Sequence, residues 1–493
     1  MSGEGKTYLA LDLGAESGRA IAGTFDGERL TLREVHRFSN VPVRRGESFH
    51  WDLPALFDEV KRGIAAAVNA FGKDLVSVGV DTWGVDYGLL DGDGTLMGLP
   101  HQYRDPRTAG IQDSVMERLG KDFLYEQAGI QLMEMNTLYQ LLSEPPERLT
   151  QASRLLFIPD LINYRLTGVM STEHTFASTS QLYDVRKRDW AYPLLDAVGL
   201  PSHMLGDIRD AGESLGPLLS EVAEETGASG VDVVLPGTHD TASAVAAVPA
   251  SGESWAFLSS GTWSLLGVET REPVMNERAK AFELGNEVGV LGTVRPLKNI
   301  SGLWLVQQCR ATWESQGNAY SYAELTRMAE ASPPFTAIID PDDPSFTPAG
   351  DMPARMADFC RRSGQPAPST RGEFVRTILE SLALRYRMAL EAIEDIVDSR
   401  IDTLHIVGGG GQNLLLNQCT ANAVGRPVVV GPVEATAAGN VLMQMVASGE
   451  ISSLAEGREV IRRSFELTTY FPEDSDVWGQ TYERFLRISS PSE

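Results

Sequence analysis

Three cysteines in 493 residues are too few for a disulfide framework. Cys309, Cys360 and Cys419 form no CxxC pair and have no histidine at zinc-ligand spacing, so a structural zinc site is not expected either. No run of roughly 18 apolar residues occurs, so no membrane-spanning helix is expected. The opening MSGEGKTYLALDLG has no basic segment ahead of a long apolar one. A secretory signal peptide is therefore not expected, and the expected location is the cytoplasm. Positive charge is also scarce. Against 67 Asp and Glu stand 42 Lys and Arg, a formal net charge of −25 that disfavours nucleic acid or an anionic membrane as partner. A phosphate ligand is not excluded, because a few backbone N–H groups in one turn can hold it within an acidic protein.

Two common nucleotide signatures are missing. Gly5-Lys6-Thr7 ends like a Walker A loop but has no glycine upstream at the needed offset, and it precedes the first strand. Gly408 to Gly411 followed by Gln412 and Asn413 fails the G-x-G-x-x-G pattern, because Asn413 stands where the last glycine belongs.

What is present points to a soluble α/β protein. A hydrophobic share of 42% with 22% charged residues is ordinary for globular chains. The length exceeds what one core supports, so two domains of similar size are expected, 1–248 and 249–493. TYLALDL, AIAGTFDG and LTLREVHRF read as a β-meander, and a helix is expected over Asp52–Phe71. LVSVGV reads as a buried strand. A second strand–turn–strand, SWAFL-SSGTWS-LLGVET, opens the later half, as expected of a duplicated unit or of two unrelated α/β domains. The Pro- and Asp-rich stretch 332–353 is expected to be irregular, and a long helix is expected over Arg371–Val397.

Four segments carry candidate chemistry. In Asp12-Leu-Gly-Ala-Glu-Ser-Gly-Arg19 an aspartate leaves a strand and a glycine turn follows. Such a turn either converges N–H groups on phosphates, with Asp12 holding Mg2+ through water, or is a plain hairpin turn with a solvated arginine. Ser259 to Ser264 is the equivalent turn of the second half. Gly408 to Gly411 leaves room for a base or ribose against bare backbone. In Gly237-Thr-His-Asp-Thr241, Asp240 is either a helix N-cap or a general base. Trp83 reads equally as a sugar platform or as core. Arg104, Asp105 and Arg107 read as sugar ligands or as ion-paired surface residues.

Together these segments resemble the FGGY carbohydrate kinases of the actin-like ATPase superfamily. DLGAESGR is similar to the first phosphate loop, SSGTWSL to the second, VGGGGQN to the adenosine loop and GTHDTASAV to the catalytic-base segment. The likeness continues through DTWGVDYGLLD, GLPHQYRDPRT, IPDLINYRLTG, LKNISGLWLVQQCR and EATAAGNVLMQ, and so spans most of the chain. The resemblance implies two RNase-H-like α/β domains with a catalytic cleft between them. It also implies phosphoryl transfer from ATP to the terminal hydroxyl of a ketose, L-rhamnulose before L-fuculose, L-ribulose or D-xylulose. By the same resemblance Ala15, Glu16, Ser17, Gly18, Arg19, Thr262, Gln307 and Gly409 contact ATP. Gly84, His239, Asp240, Thr241 and Asn299 contact the sugar, and Asp240 accepts its proton. The protein is expected to be a monomer or homodimer.

Two departures from the family pattern stand out. Glu16 occupies a position where serine is usual, so its side chain is expected to turn outward or toward Mg2+. A Lys-and-Trp signature is missing near MNTLYQLL. A non-enzymatic ATP-binding protein, which gives no reason for GTHD and YRDPRT, and a phosphohydrolase on the same fold are the competing classes.

Overall fold

Every residue of the strand Lys6–Leu13 after Lys6 is buried, the pattern of a strand covered on both faces. In the computed structural model, which describes residues 5–489, it is the centre of the first of two compact units. That unit takes the chain up to Pro249 together with Glu269–Pro296 and Ala435–Phe465. The second takes Ala250–Val268, Leu297–Glu434 and the chain from Glu466 onward.

In the first unit six strands lie in the order Ser214–Pro217, Asp232–Val234, Leu75–Thr82, Lys6–Leu13, Ser17–Phe25, Leu30–Ser39. The last three form the expected antiparallel meander, and Lys6–Leu13 pairs in parallel with Leu75–Thr82. The meander turn is tighter than its sequence suggests. Pairing runs to Leu13 opposite Gly18, so the turn itself is only Gly14 to Glu16, and Ser17, Gly18 and Arg19 are strand residues. Helix Leu53–Phe71 starts where Asp52 accepts the Ala55 N–H at 3.2 Å and buries Leu56, Phe57, Val60 and Ile64 against this sheet. Helix Ala435–Ala447 packs over Lys6–Leu13 and Leu75–Thr82 and against helix Asp240–Ala246. Gly439 permits that last contact: a Cβ there would stand 1.7 Å from the Ser243 carbonyl oxygen.

The second unit repeats the plan. Trp255–Ser260 pairs antiparallel with Trp263–Gly267, which pairs antiparallel with the Leu297–Ser301 stretch. On its other side Trp255–Ser260 runs parallel to Thr403–Val407, which is parallel to Val428–Val430, which meets Thr468–Tyr470 antiparallel. In both units a meander is followed by two parallel strands and an antiparallel edge strand, as expected of a duplicated unit. Ser259 and Ser260 belong to the strand, so the turn narrows to Gly261 and Thr262. The long helix spans Arg371–Val397, capped by Thr370 and Glu373 in a reciprocal box. Residues 332–353 are largely irregular, with one short turn of helix at Pro344–Phe346 and a helix beginning at Met352. Among the described residues no helix is long and apolar enough to cross a membrane.

Candidate active site

Parallel pairing sets Asp12 beside Asp81, one residue before the end of each central strand of the first unit. Antiparallel pairing on the other side sets Arg19 opposite Asp12, and its Nη2 donates to Asp12 Oδ2 at 2.5 Å. Asp81 is fully buried; Asn440 Nδ2 donates to its Oδ2 at 2.6 Å, while Oδ1 has no hydrogen-bond partner among the described residues. Burial, then the neighbouring Asp12 carboxylate, pushes the Asp81 carboxyl well above the usual range. Asn440 is held in turn by Gln444, whose Nε2 donates to Asn440 Oδ1 at 2.7 Å and whose Oε1 accepts from Ser77 at 2.7 Å. Among the described residues no three His, Cys, Asp or Glu are placed to hold a metal ion. A divalent cation at Asp12 would thus take most of its ligands from water and phosphate, as Mg2+ does.

Asn40 pins the turn beside Asp12, donating from Nδ2 to the Gly14 carbonyl at 2.9 Å and from its backbone N–H to the Glu16 carbonyl at 3.0 Å. Glu16 is exposed, in line with an outward side chain. Gly18 is buried under Phe38, whose ring a Cβ would meet at 2.1 Å, so its missing side chain serves sheet packing.

Gly84, His239, Asp240 and Thr241 come together in the same unit. The Thr82 N–H donates to the Thr238 carbonyl at 2.9 Å, which ties the GTHD turn to the end of strand Leu75–Thr82. A Cβ on Gly84 would lie 3.3 Å from His239 Nε2 and 3.4 Å from Thr179 Oγ1, so the glycine leaves a polar recess there. Val85, a β-branched residue, is held at φ 68° by Thr179 Oγ1 on its N–H and Thr137 Oγ1 on its carbonyl. Such a conformation costs roughly 1–3 kcal/mol, and this one fixes the wall of the recess. Asp240 opens helix Asp240–Ala246, with His239 at the cap position. Its Oδ1 accepts from the Thr241 hydroxyl at 3.0 Å and lies 3.4 Å from His239 Nε2, and about a third (32%) of the side chain stays accessible.

The second unit assembles a different group. Gln307 Nε2 donates to Thr262 Oγ1 at 3.0 Å, and the N–H groups of Leu303 and Trp304 donate to the Gly261 and Thr262 carbonyls. Gln307 Oε1 is a buried acceptor with no hydrogen-bond partner among the described residues. Gly408 and Gly410 pack on Ser260, where Cβ atoms would stand 2.9 Å from its carbonyl and 2.0 Å from its Oγ. Gly409 is exposed and faces open space. Asn299 also lies in this unit, on the strand opposite Leu265.

Other candidates are committed elsewhere. The Trp83 indole N–H donates to Asp86 at 2.9 Å, and its ring lies 4.2 Å from that of Trp51 in the core. Asp105 caps a short helical turn and accepts the Phe49 N–H, while Arg107 pairs with Glu144 at 2.7 Å. The three cysteines are free and buried. Sequence reasoning missed Asp81, although an aspartate leaving an apolar strand was the sign used for Asp12. It also missed Glu287 and Arg295, lone charges in an apolar run: Glu287 Oε2 lies 3.2 Å from His239 Nδ1 and 3.0 Å from Arg295 Nη2.

The chain matches the model of the FGGY family of carbohydrate kinases, N-terminal domain, over residues 7–247 and the C-terminal domain over 256–448. It is 44% identical to a protein named rhamnulokinase from Bacteroides thetaiotaomicron over 97% of this chain and 99% of the relative. It is 40% identical to one of the same name from Pectobacterium carotovorum, over 99% and 97%. Among solved structures, a ligand-bound xylulose kinase from Lactobacillus acidophilus superposes with a TM-score of 0.81 at 16% identity, covering 98% of this chain and 97% of that one. At that identity the likeness concerns the fold alone.

Proposed function

The chain belongs to the FGGY family of carbohydrate kinases, and from that premise we propose that it transfers the γ-phosphoryl group of ATP to the terminal hydroxyl of L-rhamnulose, giving L-rhamnulose 1-phosphate. The full-length likeness to relatives named for that sugar carries the choice of substrate. On this reading residues 1–248 supply most of the sugar site, the first phosphate loop and the base, and residues 249–493 supply the second phosphate loop, the adenosine loop and Asn299. Ala15 to Arg19, Thr262, Gln307 and Gly409 contact the nucleotide. Gly84, His239, Thr241 and Asn299 hold the sugar. An enzyme that spends ATP and keeps three free thiols works in the cytoplasm.

Phosphoryl transfer asks the protein for positioning and charge compensation, and for a group that takes the hydroxyl proton. Asp240 fills the last role: Thr241 donates to Oδ1 and His239 Nε2 lies 3.4 Å from it, which leaves Oδ2 for an incoming hydroxyl. Gly84, with no side chain, lets the sugar approach its backbone next to His239. Arg19, anchored by Asp12, brings a fixed positive charge to the phosphate turn. Asp12, with Asp81 beside it, would hold Mg2+, which when bound neutralises phosphate charge.

ADP release measured with L-rhamnulose, L-fuculose, L-ribulose, D-xylulose and glycerol tests the assignment. The highest kcat/KM is expected for L-rhamnulose, and ADP release without any sugar would favour a phosphohydrolase instead. Asp240→Asn should lower kcat by roughly 10²–10⁴-fold while ATP still binds. Near-normal turnover in the folded variant would remove Asp240 as the base.

A further inference from the structure

Behind His239 lies a fully buried arginine that the proposed reaction has not used. Arg295 has no accessible surface, and its Nη2 stands 3.0 Å from Glu287 Oε2. The same nitrogen donates to the Val288 carbonyl at 3.0 Å and approaches His239 Nδ1 at 3.4 Å. Burial works against the guanidinium charge, and the Glu287 carboxylate offsets it. Arg295 Nη1 has no hydrogen-bond partner among the described residues. A buried ion pair with an orphaned donor gives little net stability, so stability does not account for it.

Its geometry accounts for it better. A guanidinium has donors only, so the ring nitrogen it meets must be an acceptor. Were Nδ1 protonated, two N–H groups would face each other across 3.4 Å. Glu287 Oε2, 3.2 Å from Nδ1, could in principle accept a proton from it, but no donor is aligned on that oxygen. The ring proton therefore belongs on Nε2, the atom that faces both Asp240 Oδ1 and the Gly84 recess.

Resting on the kinase reading above, we propose that Arg295, anchored by Glu287, locks His239 in its Nε2–H tautomer so that His239 donates toward the base Asp240 and the sugar. Arg295 and Glu287 are positioning residues that act through His239. In this tautomer the Nε2–H group lies on the side of the ring that faces Asp240 Oδ1, 3.4 Å away.

Long-range ¹H–¹⁵N NMR of protein labelled at histidine reads the tautomer directly, without turnover. The His239 signals are assigned by their loss in His239→Gln. At pH 7.5 the wild-type ring should show a protonated Nε2 and an unprotonated Nδ1. Arg295→Met should move the proton to Nδ1, toward Glu287, and lower kcat roughly 10²-fold with ATP-analogue affinity unchanged. Arg295→Lys, which keeps a donor and charge, should restore the Nε2–H signature. A wild-type ring protonated on Nδ1, or on both nitrogens, overturns the proposal, as does an Arg295→Met protein with an unmoved proton. If Arg295→Met does not fold, the wild-type spectrum and Arg295→Lys still decide it. Because the spectra need no sugar, a protein inactive on every ketose would refute the substrate reading while leaving the tautomer to be judged by NMR.

Discussion

Four donors converge on the fully buried Asp86 carboxylate: Trp51 Nε1 at 2.6 Å, Trp83 Nε1 at 2.9 Å, Gln140 Nε2 at 3.0 Å and the Tyr103 N–H at 3.2 Å. Burial still prevails over these hydrogen bonds and raises its pKa to about 6. The folded chain thus keeps a proton that the unfolded chain gives up nearer pH 4. The stability this contributes is complete below the unfolded value and is lost as pH rises through about 6. Between pH 5 and pH 7.5, wild type should lose roughly 1.4 kcal/mol relative to Asp86→Asn in denaturant titrations, the worth of one pKa unit. A pH-independent difference would mean that Asp86 does not titrate in this range. At Asp12 the expected signature is different. Asp12→Ala should raise the Mg2+ concentration needed for half-maximal rate by roughly 10–100-fold, with calorimetric sugar affinity nearly unchanged. An unaltered Mg2+ dependence would return Asp12 to the role of Arg19's partner in a hairpin.

Helices Ala435–Ala447 and Asp240–Ala246 meet backbone to backbone at Gly439, and the second of them begins with the proposed base. Gly439→Ala must push the two apart, because its Cβ would overlap the Ser243 carbonyl. Overpacking of this kind costs typically 1–3 kcal/mol. The same shift moves His239, Asp240 and Thr241 together, away from Gly84, so kcat should fall along with the melting temperature. Thr370→Ala gives the comparison: losing the Thr370 cap on the Glu373 N–H should cost about 1 kcal/mol and leave kcat unaffected. If the two variants lower kcat equally, the helix contact does not position the base.

On the scale of the whole molecule, the proposed sugar group Gly84, His239 and Asp240 belongs to the first unit, and Thr262, Gln307, Gly409 and Asn299 belong to the second. The proposed reaction uses both groups, so its two substrates are expected to depend on each other. L-Rhamnulose should tighten binding of a non-hydrolysable ATP analogue, within the roughly 5–150-fold range usual for coupled sites, and the analogue should tighten sugar binding by the same factor. Calorimetry in both orders checks this, and independent affinities would refute the coupling.

Local pattern carried much of this. The meander and its glycine turn, the helix from Asp52, the helix Arg371–Val397 and the repeated strand–turn–strand are all short-range signals, set by alternation, caps and turn residues within a few positions. The motifs that resemble one kinase family are likewise contiguous runs, so the family was legible before any coordinates. Pairing register, in contrast, joins residues far apart in sequence. It alone set Asp81 beside Asp12, moved Ser17 to Arg19 from turn to strand, and brought Gly84 against His239. Nor could a linear reading show that Glu287 and Arg295 lie behind His239, or that Ala435–Phe465 folds with the first unit. Such contacts depend on packing of distant segments, where a single buried charge takes its meaning from the groups that close around it.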